Sequence, residues 1–166
     1  MANNKPIVVI GSINMDLVVR VDRLPSAGQT VLGGDLDAIP GGKGANQAVA
    51  AARLGGRVHM VGRVGRDEWG ARLLAALADN DVRVEHVRMT PGVSSGCAMI
   101  GVDRHGENSI IVSPGANARV APADVDQARD LIASAVAVVM QLEIPPRTVA
   151  HAVGLCRRLG VATILD

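Results

Sequence analysis

The sequence predicts an α/β fold, with a central, mostly parallel sheet flanked by helices and a second, smaller sheet beside it. Short apolar runs rich in β-branched residues alternate with helical patterns along the 166 residues, which is typical of a parallel sheet. Two pairs of more regularly alternating strands interrupt this order and predict the smaller sheet. Apolar residues make up 48% of the chain, so it can bury a sizeable core.

The first part of the chain supplies both kinds of strand. Residues 6–12 are an apolar run that ends in Gly-Ser and predict a buried strand. Residues 17–22 and 30–39 alternate and flank a turn, which is typical of a half-exposed sheet. Residues 44–56 are rich in Ala and end in Gly-Gly, so they predict a helix. Residues 57–65 predict another buried strand.

The middle of the chain continues the pattern. Residues 67–80 have an Asp at the N-cap position and apolar residues at helical spacing, which predicts a helix. Residues 96–103 and 108–113 are separated by a short polar turn and predict a hairpin. Residues 122–135 begin with Pro, which suits the first position of a helix.

The last part of the chain returns to the central sheet. Residues 136–143 predict a buried strand, 145–160 a helix and 161–166 a final strand. A parallel sheet needs helices on both faces, and no helix follows the last strand. We therefore expect the chain to be the N-terminal part of a larger fold whose C-terminal part is missing.

Composition argues against several classes of function. Trp69 is the only aromatic residue, so bases find no row of aromatic side chains on which to stack. The net charge is +1 without a basic stripe, which argues against nucleic-acid binding. The four histidines show no metal-ligand spacing, and Cys97 and Cys156 form no disulfide framework. The apolar runs are too short for a signal peptide or a membrane span, so we expect a cytoplasmic protein without a membrane partner.

The stretch PGGKGANQA (residues 40–48) resembles a nucleotide-binding loop but fails the test for one. A Walker A loop requires G-x-x-x-x-G-K-[ST], whereas Asp37 stands in place of the first Gly and Gly44 follows Lys43. A dinucleotide-binding fingerprint fails as well, because the first strand ends in GSINMD instead of G-x-G-x-x-G.

The same stretch predicts a cradle for a small, oxygen-rich ligand. Gly41, Gly42 and Gly44 permit backbone conformations that are closed to other residues, and the helix that follows presents free N–H groups. Lys43 adds a cationic donor, and Asn46 offers both a donor and an acceptor. The alternative is a helix entry with a solvated lysine, and the glycine pattern alone does not decide between the two.

Polar side chains also follow two of the predicted strands. Asn14 and Asp16 come just past the first strand, and Glu143 comes just past a later one. In open α/β sheets ligands bind beyond the carboxyl ends of strands, where a carboxylate can accept hydrogen bonds from neighbouring hydroxyl groups of a sugar. Each residue taken singly could instead cap a turn or a helix entry. Their arrival at one sheet edge favours a sugar site.

Together these motifs resemble the ribokinase branch of the PfkB family of sugar kinases. The resemblance runs in order over essentially the whole chain, through GSINMD, PGGKGANQAVAAARLG, VGRVGRDEWG, GENSIIVSPGAN and QLEIP. The combination of GGKGANQA with GSINMD is more similar to ribokinases than to fructokinases or nucleoside kinases. The resemblance implies transfer of a phosphoryl group from ATP to the 5-hydroxyl of D-ribose.

The resemblance also implies a set of structural roles. Residues near 17–39 and 96–113 would form a small β lid, through which two copies pack as a homodimer. The residues implied to hold sugar hydroxyls are Asn14, Asp16, Gly41, Gly42, Lys43, Asn46 and Glu143. The residues implied to close an apolar side over the sugar are Ala98, Ile100 and Val112.

The sequence departs from the family by omission. It contains neither the D-x-x-G-A-G-D motif, whose Asp is the family's catalytic base, nor the Mg²⁺-linked N-x-x-E motif. We therefore expect no catalytic base and no metal site in this chain. ATP, Mg²⁺ and a monovalent cation would bind elsewhere in the complete enzyme, and the chain alone is expected to be inactive. We interpret Asp67 and Trp69 as helix-entry and packing residues, and Asp166 as the end of the last strand.

Two alternatives remain at this point. The chain could belong to a PfkB kinase for another sugar, such as deoxyribose or fructose. It could also be a truncated, non-catalytic remnant that binds sugar or dimerises.

Overall fold

The computed structural model describes residues 5–166, which form two sheets, five α-helices and one 3-10 helix. The strands are β1 (Ile7–Ile10), β2 (Asn14–Val21), β3 (Gly33–Gly41), β4 (Val58–Gly65), β5 (Val82–Thr90), β6 (Gly96–Val102), β7 (Asn108–Ser113), β8 (Ala137–Met140) and β9 (Ala162–Leu165). The helices are α1 (Lys43–Arg53), α2 (Glu68–Asp79), the 3-10 helix (Gly115–Arg119), α3 (Pro122–Gln127), α4 (Arg129–Ser134) and α5 (Pro146–Leu159).

The main sheet is parallel throughout, with the strand order β5-β4-β1-β8-β9. Its central strand β1 is apolar on both faces, and Val8, Val9 and Ile10 are fully buried. Helices α1 and α2 cover one face through Ala48 and Leu73. Helices α3, α4 and α5 cover the other face. The predicted central sheet flanked by helices is therefore confirmed.

The second sheet is mixed, with the order β3-β2-β6-β7. Strands β2 and β3 pair antiparallel, β6 and β7 pair antiparallel, and β2 runs parallel to β6. Only residues 11–13 separate β1 from β2, so the chain passes directly from the main sheet into the second sheet. Side chains at the start of β2 are consequently close to the carboxyl end of β1.

Several element boundaries differ from the sequence prediction. Strand β5 was not predicted, because its charged residues alternate with apolar ones at the edge of the main sheet. The helix predicted over 122–135 is two short helices that meet at Ala128. The strand predicted over 136–143 ends at Met140, so Glu143 lies in the loop beyond it.

One buried ion network fastens the main sheet to α3. The carboxylate of Asp124 receives two hydrogen bonds from Arg63 on β4, at 2.8 and 2.9 Å, and one from Arg88 on β5, at 3.1 Å. Asp124 also accepts a hydrogen bond from the backbone N–H of Ala121 at 2.8 Å, so this buried charge is both paired and hydrogen-bonded.

Among the described residues 5–166, every helix is too short or too polar to span a membrane.

Candidate functional site

The carboxyl ends of β1 and β8 meet the N-terminus of α1 at one edge of the main sheet, and Ser12 links the three elements. Its hydroxyl donates to Oε2 of Glu143 at 2.7 Å and accepts from the backbone N–H of Gly44 at 3.3 Å. The backbone N–H of Lys43 also donates to Glu143 Oε2, at 3.4 Å. The N-cap residue of α1 is Gly42, which has no side chain to cap the helix. The Glu143 carboxylate lies instead where the helix presents free N–H groups.

The glycines before α1 allow the backbone of this loop to approach β2. Gly42 has φ +91°, and a Cβ there would lie 2.8 Å from the backbone nitrogen of Asn14. A Cβ at Gly44 would lie 2.7 Å from the backbone nitrogen of Ser12. Both positions are therefore closed to side chains, which brings the peptide groups of the loop next to the start of β2.

Asp16 projects from β2 over the neighbouring strand β3. A side chain at Gly41 would collide with its carboxylate, so this glycine leaves the space that Asp16 occupies. Burial raises the pKa of Asp16 above its ordinary value, and the negative charge of Glu143 raises it further. The negative charge of Glu143 thus reaches Asp16 from the loop beyond β8.

Asn14 lies two residues before Asp16 on the same face of β2, and it is only 4% exposed. Its side-chain oxygen accepts a hydrogen bond of 2.7 Å from Nδ2 of Asn117, a residue of the 3-10 helix. A side chain at Gly96 would collide with both amides. Asn14 and Asp16 are thus flanked by glycines, one on each neighbouring strand.

Lys43 and Asn46 lie in the first turn of α1 with exposed side chains. Within residues 5–166 the ammonium group of Lys43 makes no ion pair. Asn46 and Gly41 border a groove of about 420 Å³ between α1 and α2. This groove includes neither Asp16 nor Glu143, so it is a neighbour of the sheet-edge site and not the site itself.

The second sheet places its apolar residues beside Asp16. Ala98 on β6 is the cross-strand neighbour of Asp16, and Val112 on β7 is the cross-strand neighbour of Ala98. Ile100 lies two residues further along the same face. Ala98 is buried, Ile100 is half-buried and Val112 is 52% exposed, so the row runs from the site out to solvent.

Sequence reasoning missed two residues that organise the site, Ser12 and Asn117. Both stand in motifs that were noted, GSINMD and GENSIIVSPGAN, but their roles depend on hydrogen bonds to residues 131 and 104 positions away. Asp67 was predicted correctly as the N-cap of α2, since it accepts from the Gly70 N–H at 2.7 Å. Trp69 packs against the core under that helix, as predicted.

Beside this site a chain of polar side chains runs along the sheet edge. The buried Gln141 donates to the side-chain oxygen of Gln47, and Gln47 donates to the carboxylate of Asp166 at 3.0 Å. Asp166 follows β9 directly and is engaged in this contact, in keeping with its interpretation as a strand-end residue.

The arrangement can bind a small molecule rich in hydroxyl groups. It combines the carboxylates of Asp16 and Glu143, a buried amide, the ammonium group of Lys43 and backbone N–H groups around one edge, with apolar residues on one side. Carboxylates accept hydroxyl protons in strong, charge-assisted hydrogen bonds. Within the described residues 5–166 there is no cluster of three His, Cys, Asp or Glu side chains that could hold a metal ion.

Comparison with known proteins gives consistent matches. The sequence profile described as pfkB family carbohydrate kinase matches residues 4–166. The chain is 46% identical to the ribokinase of Bacillus subtilis over 160 residues, which are 96% of this chain and 54% of that protein. It is 36% identical to the deoxyribokinase of Salmonella typhi, again over 96% of this chain but 52% of the relative.

The chain is also similar to a solved structure, that of the Arabidopsis thaliana ribokinase complexed with ribose and ATP. The two share 34% sequence identity with a TM-score of 0.88, over 98% of this chain and 53% of the ribokinase chain. The chain thus spans about half the length of the curated relatives and of this structure.

The close approach at Gly42 makes a prediction about stability. Gly42→Ala should lower the free energy of unfolding more than Gly55→Ala, as measured by urea denaturation. Both glycines have positive φ, +91° and +86°, so each alanine carries a backbone cost of about 1–3 kcal/mol. Only at Gly42 does the new Cβ also collide with the backbone of residues 12–14, which adds roughly 1–3 kcal/mol. Equal losses in the two variants would show that this close packing is absent.

The proximity of the two carboxylates makes a prediction about titration. Glu143→Gln should lower the pKa of Asp16 towards its ordinary value, because it removes a negative charge that favours the protonated form. In the parent protein Asp16 therefore loses its charge at a higher pH on acidification than it does in the variant. An NMR titration of the side-chain carboxyl carbon measures this. Asp67 is the control: burial raises its pKa, but hydrogen bonds from Ser95 and Gly70 hold it below the usual value, and Glu143→Gln should leave it unchanged.

Proposed function

Because this chain belongs to the pfkB family of carbohydrate kinases, we propose that it supplies the sugar-binding part of an ATP-dependent ribokinase, which phosphorylates the 5-hydroxyl of D-ribose. The observation that carries the proposal is the convergence of Asn14, Asp16 and Glu143 with the N-terminus of α1 at one sheet edge. Similarity to proteins named ribokinase supports ribose as the substrate.

In this proposal the polar residues hold the hydroxyl groups of the sugar. Asp16 accepts hydrogen bonds from two neighbouring hydroxyls, and its partial desolvation makes it a strong acceptor. Lys43 and Asn46 approach further hydroxyls from the first turn of α1. Gly41 and Gly42 let the sugar reach the main chain. Glu143 completes the polar ring and, through Ser12, keeps the loop before α1 against β2.

The second sheet acts as the lid of the proposed site. Ala98, Ile100 and Val112 lie on the same face as Asp16 and would close over the apolar side of the sugar. Closure would exclude water and hold the 5-hydroxyl in position for in-line attack. The contribution of this chain to the reaction is thus orientation of the acceptor.

Phosphoryl transfer also requires stabilisation of the charge on the phosphate, which this chain is not proposed to supply. The sequence contains no D-x-x-G-A-G-D and no N-x-x-E stretch. We assign the base and the sites for ATP, Mg²⁺ and the monovalent cation to the part of the enzyme that lies outside this chain. The 166-residue chain alone would then be inactive. ATP as a substrate and two unpaired cysteines also fit a cytoplasmic location.

A kinase assay tests the proposal. The protein encoded by the complete reading frame that contains this chain should phosphorylate D-ribose. The 166-residue chain alone should release no ADP above background. In the complete protein, Asp16→Asn should raise the KM for ribose roughly 100-fold, because two charge-assisted hydrogen bonds are weakened. Asp79→Asn, at an exposed position on α2, is the matched control and should have no effect.

The same assay with other sugars addresses the two alternatives. Deoxyribose is a candidate because of the 36% identity to a deoxyribokinase, and fructose is the remaining sugar to compare. A kcat/KM for either that exceeds the value for ribose would replace the proposed substrate. If the complete protein binds ribose without phosphorylating it, the result would support the alternative that it is a non-catalytic remnant.

We also propose that the lid joins two copies of the chain. Its sheet exposes apolar side chains, among them Ile110 and Ile111, which are 50% and 64% exposed on opposite faces of β7. A dimer would bury one of these faces. Sedimentation equilibrium should show a dimer that Ile110→Glu or Ile111→Glu converts to a monomer. Val153→Glu, at an exposed apolar position on α5, should leave the dimer intact. A dimer that survives both lid substitutions would contradict the proposal.

A further inference from the structure

We propose that Asn117 is a positioning residue that fixes the side-chain amide of Asn14, so that Asn14 presents its Nδ2 donor to the sugar. This inference rests on the proposed function, because it concerns the same site. Asn117 lies in the GAN segment, within the 3-10 helix that follows β7.

The orientation of the Asn117 amide follows from the groups around it. The backbone N–H of Ile13 can only donate, and it lies 2.9 Å from Oδ1 of Asn117. The carbonyl oxygen of Ile13 can only accept, and it lies 3.1 Å from Nδ2. A reversed amide would face a donor with a donor and an acceptor with an acceptor. The two groups of Ile13 therefore determine which end of Asn117 is which.

The orientation of Asn14 follows in turn. The second N–H of the Asn117 amide points to the Asn14 side chain at 2.7 Å, so the atom that receives it must be the Asn14 oxygen. Within residues 5–166 the Asn14 Nδ2 has no hydrogen-bond partner. The oxygen is occupied and the nitrogen is available, so Asn14 acts towards a ligand as a donor only.

The surroundings of Asn117 suit a positioning role and exclude direct contact with a ligand. Its side chain is 1% exposed, and Asn14 and Ile13 take up its hydrogen-bonding groups. The start of the 3-10 helix is itself fixed, because the backbone N–H of Ala116 donates to the Ser94 carbonyl at 2.8 Å. Gly96 leaves the space in which the two amides meet.

The fixed amide has a consequence for the choice of substrate. Asn14 offers a donor, and Asp16, two residues along the same face, offers an acceptor. A hydroxyl group can accept from the first and donate to the second, whereas a hydrogen in its place can do neither. The pair therefore selects a hydroxyl at the carbon that lies between them, and a deoxy analogue leaves both groups unpaired.

A double-mutant cycle in the protein encoded by the complete reading frame tests the inference. Asn14→Ala and Asn117→Ala should each raise the KM for D-ribose roughly tenfold, with little change in kcat or in the KM for ATP. The double variant should be no worse than Asn14→Ala alone, because Asn117 acts through Asn14. In the parent protein one of 2-deoxyribose and 3-deoxyribose should have the higher KM. For that sugar, Asn117→Ala should reduce the ratio of its KM to the KM for ribose. Arg119→Ala, an exposed residue of the same 3-10 helix, is the matched control and should leave the ribose KM unchanged.

The outcomes separate this inference from the proposed function. Additive effects in the double variant, or equal changes in the KM values for ribose and ATP, would assign Asn117 a general structural role and overturn the inference alone. An Asn14→Ala variant with the parent KM for ribose would overturn the sugar-binding role of Asn14 and the inference with it. If Asn117→Ala does not fold, as judged by its thermal melt, Asn117→Asp replaces it. That variant keeps the acceptor for the Ile13 N–H but cannot donate to Asn14, so the same rise in KM is expected.

Discussion

The hydrogen bond between Ser12 and Glu143 is the interaction on which the geometry of the site depends. It joins the loop after β1 to the loop after β8, and the same two side chains receive the N–H groups of Lys43 and Gly44 at the start of α1. A helix without its own capping side chain is thereby completed by a carboxylate from the loop after β8. Because the N-terminus of a helix favours negative charge, the position of Glu143 stabilises the helix while it shapes the site.

The short connection between β1 and β2 places the start of the second sheet next to the Ser12–Glu143 hydrogen bond. Asn14 and Asp16 lie on the first residues of a strand that pairs with both β3 and β6, so their backbone positions are set by two ladders. Glycines on these two neighbouring strands make room for the two side chains. The polar groups are therefore held in place before any ligand arrives, and their hydrogen-bonding directions are determined by the protein.

The sequence was sufficient for the main architecture because buried parallel strands are continuous apolar runs, as β1 shows. It failed for β5, where charged residues such as Arg83 and Glu85 alternate along an edge strand and mask the apolar face. The candidate site was predictable as far as it depends on strand ends, which brought Asp16 and Glu143 to one edge. The roles of Ser12 and Asn117 were not predictable, since they depend on hydrogen bonds across more than a hundred residues whose directions only the folded chain defines.

The span of the Ser12–Glu143 contact has a consequence for the order of events during synthesis and folding. The two residues are 131 positions apart, and closing so long a loop is an entropic cost that local structure cannot offset in advance. Helix α1 and the hairpin of β2 and β3 can form from nearby residues, but the carboxylate that completes the loop between them emerges from the ribosome much later. Until residue 143 is in place, a nascent chain has the glycine loop without its anion, so the proposed site is completed only late in synthesis.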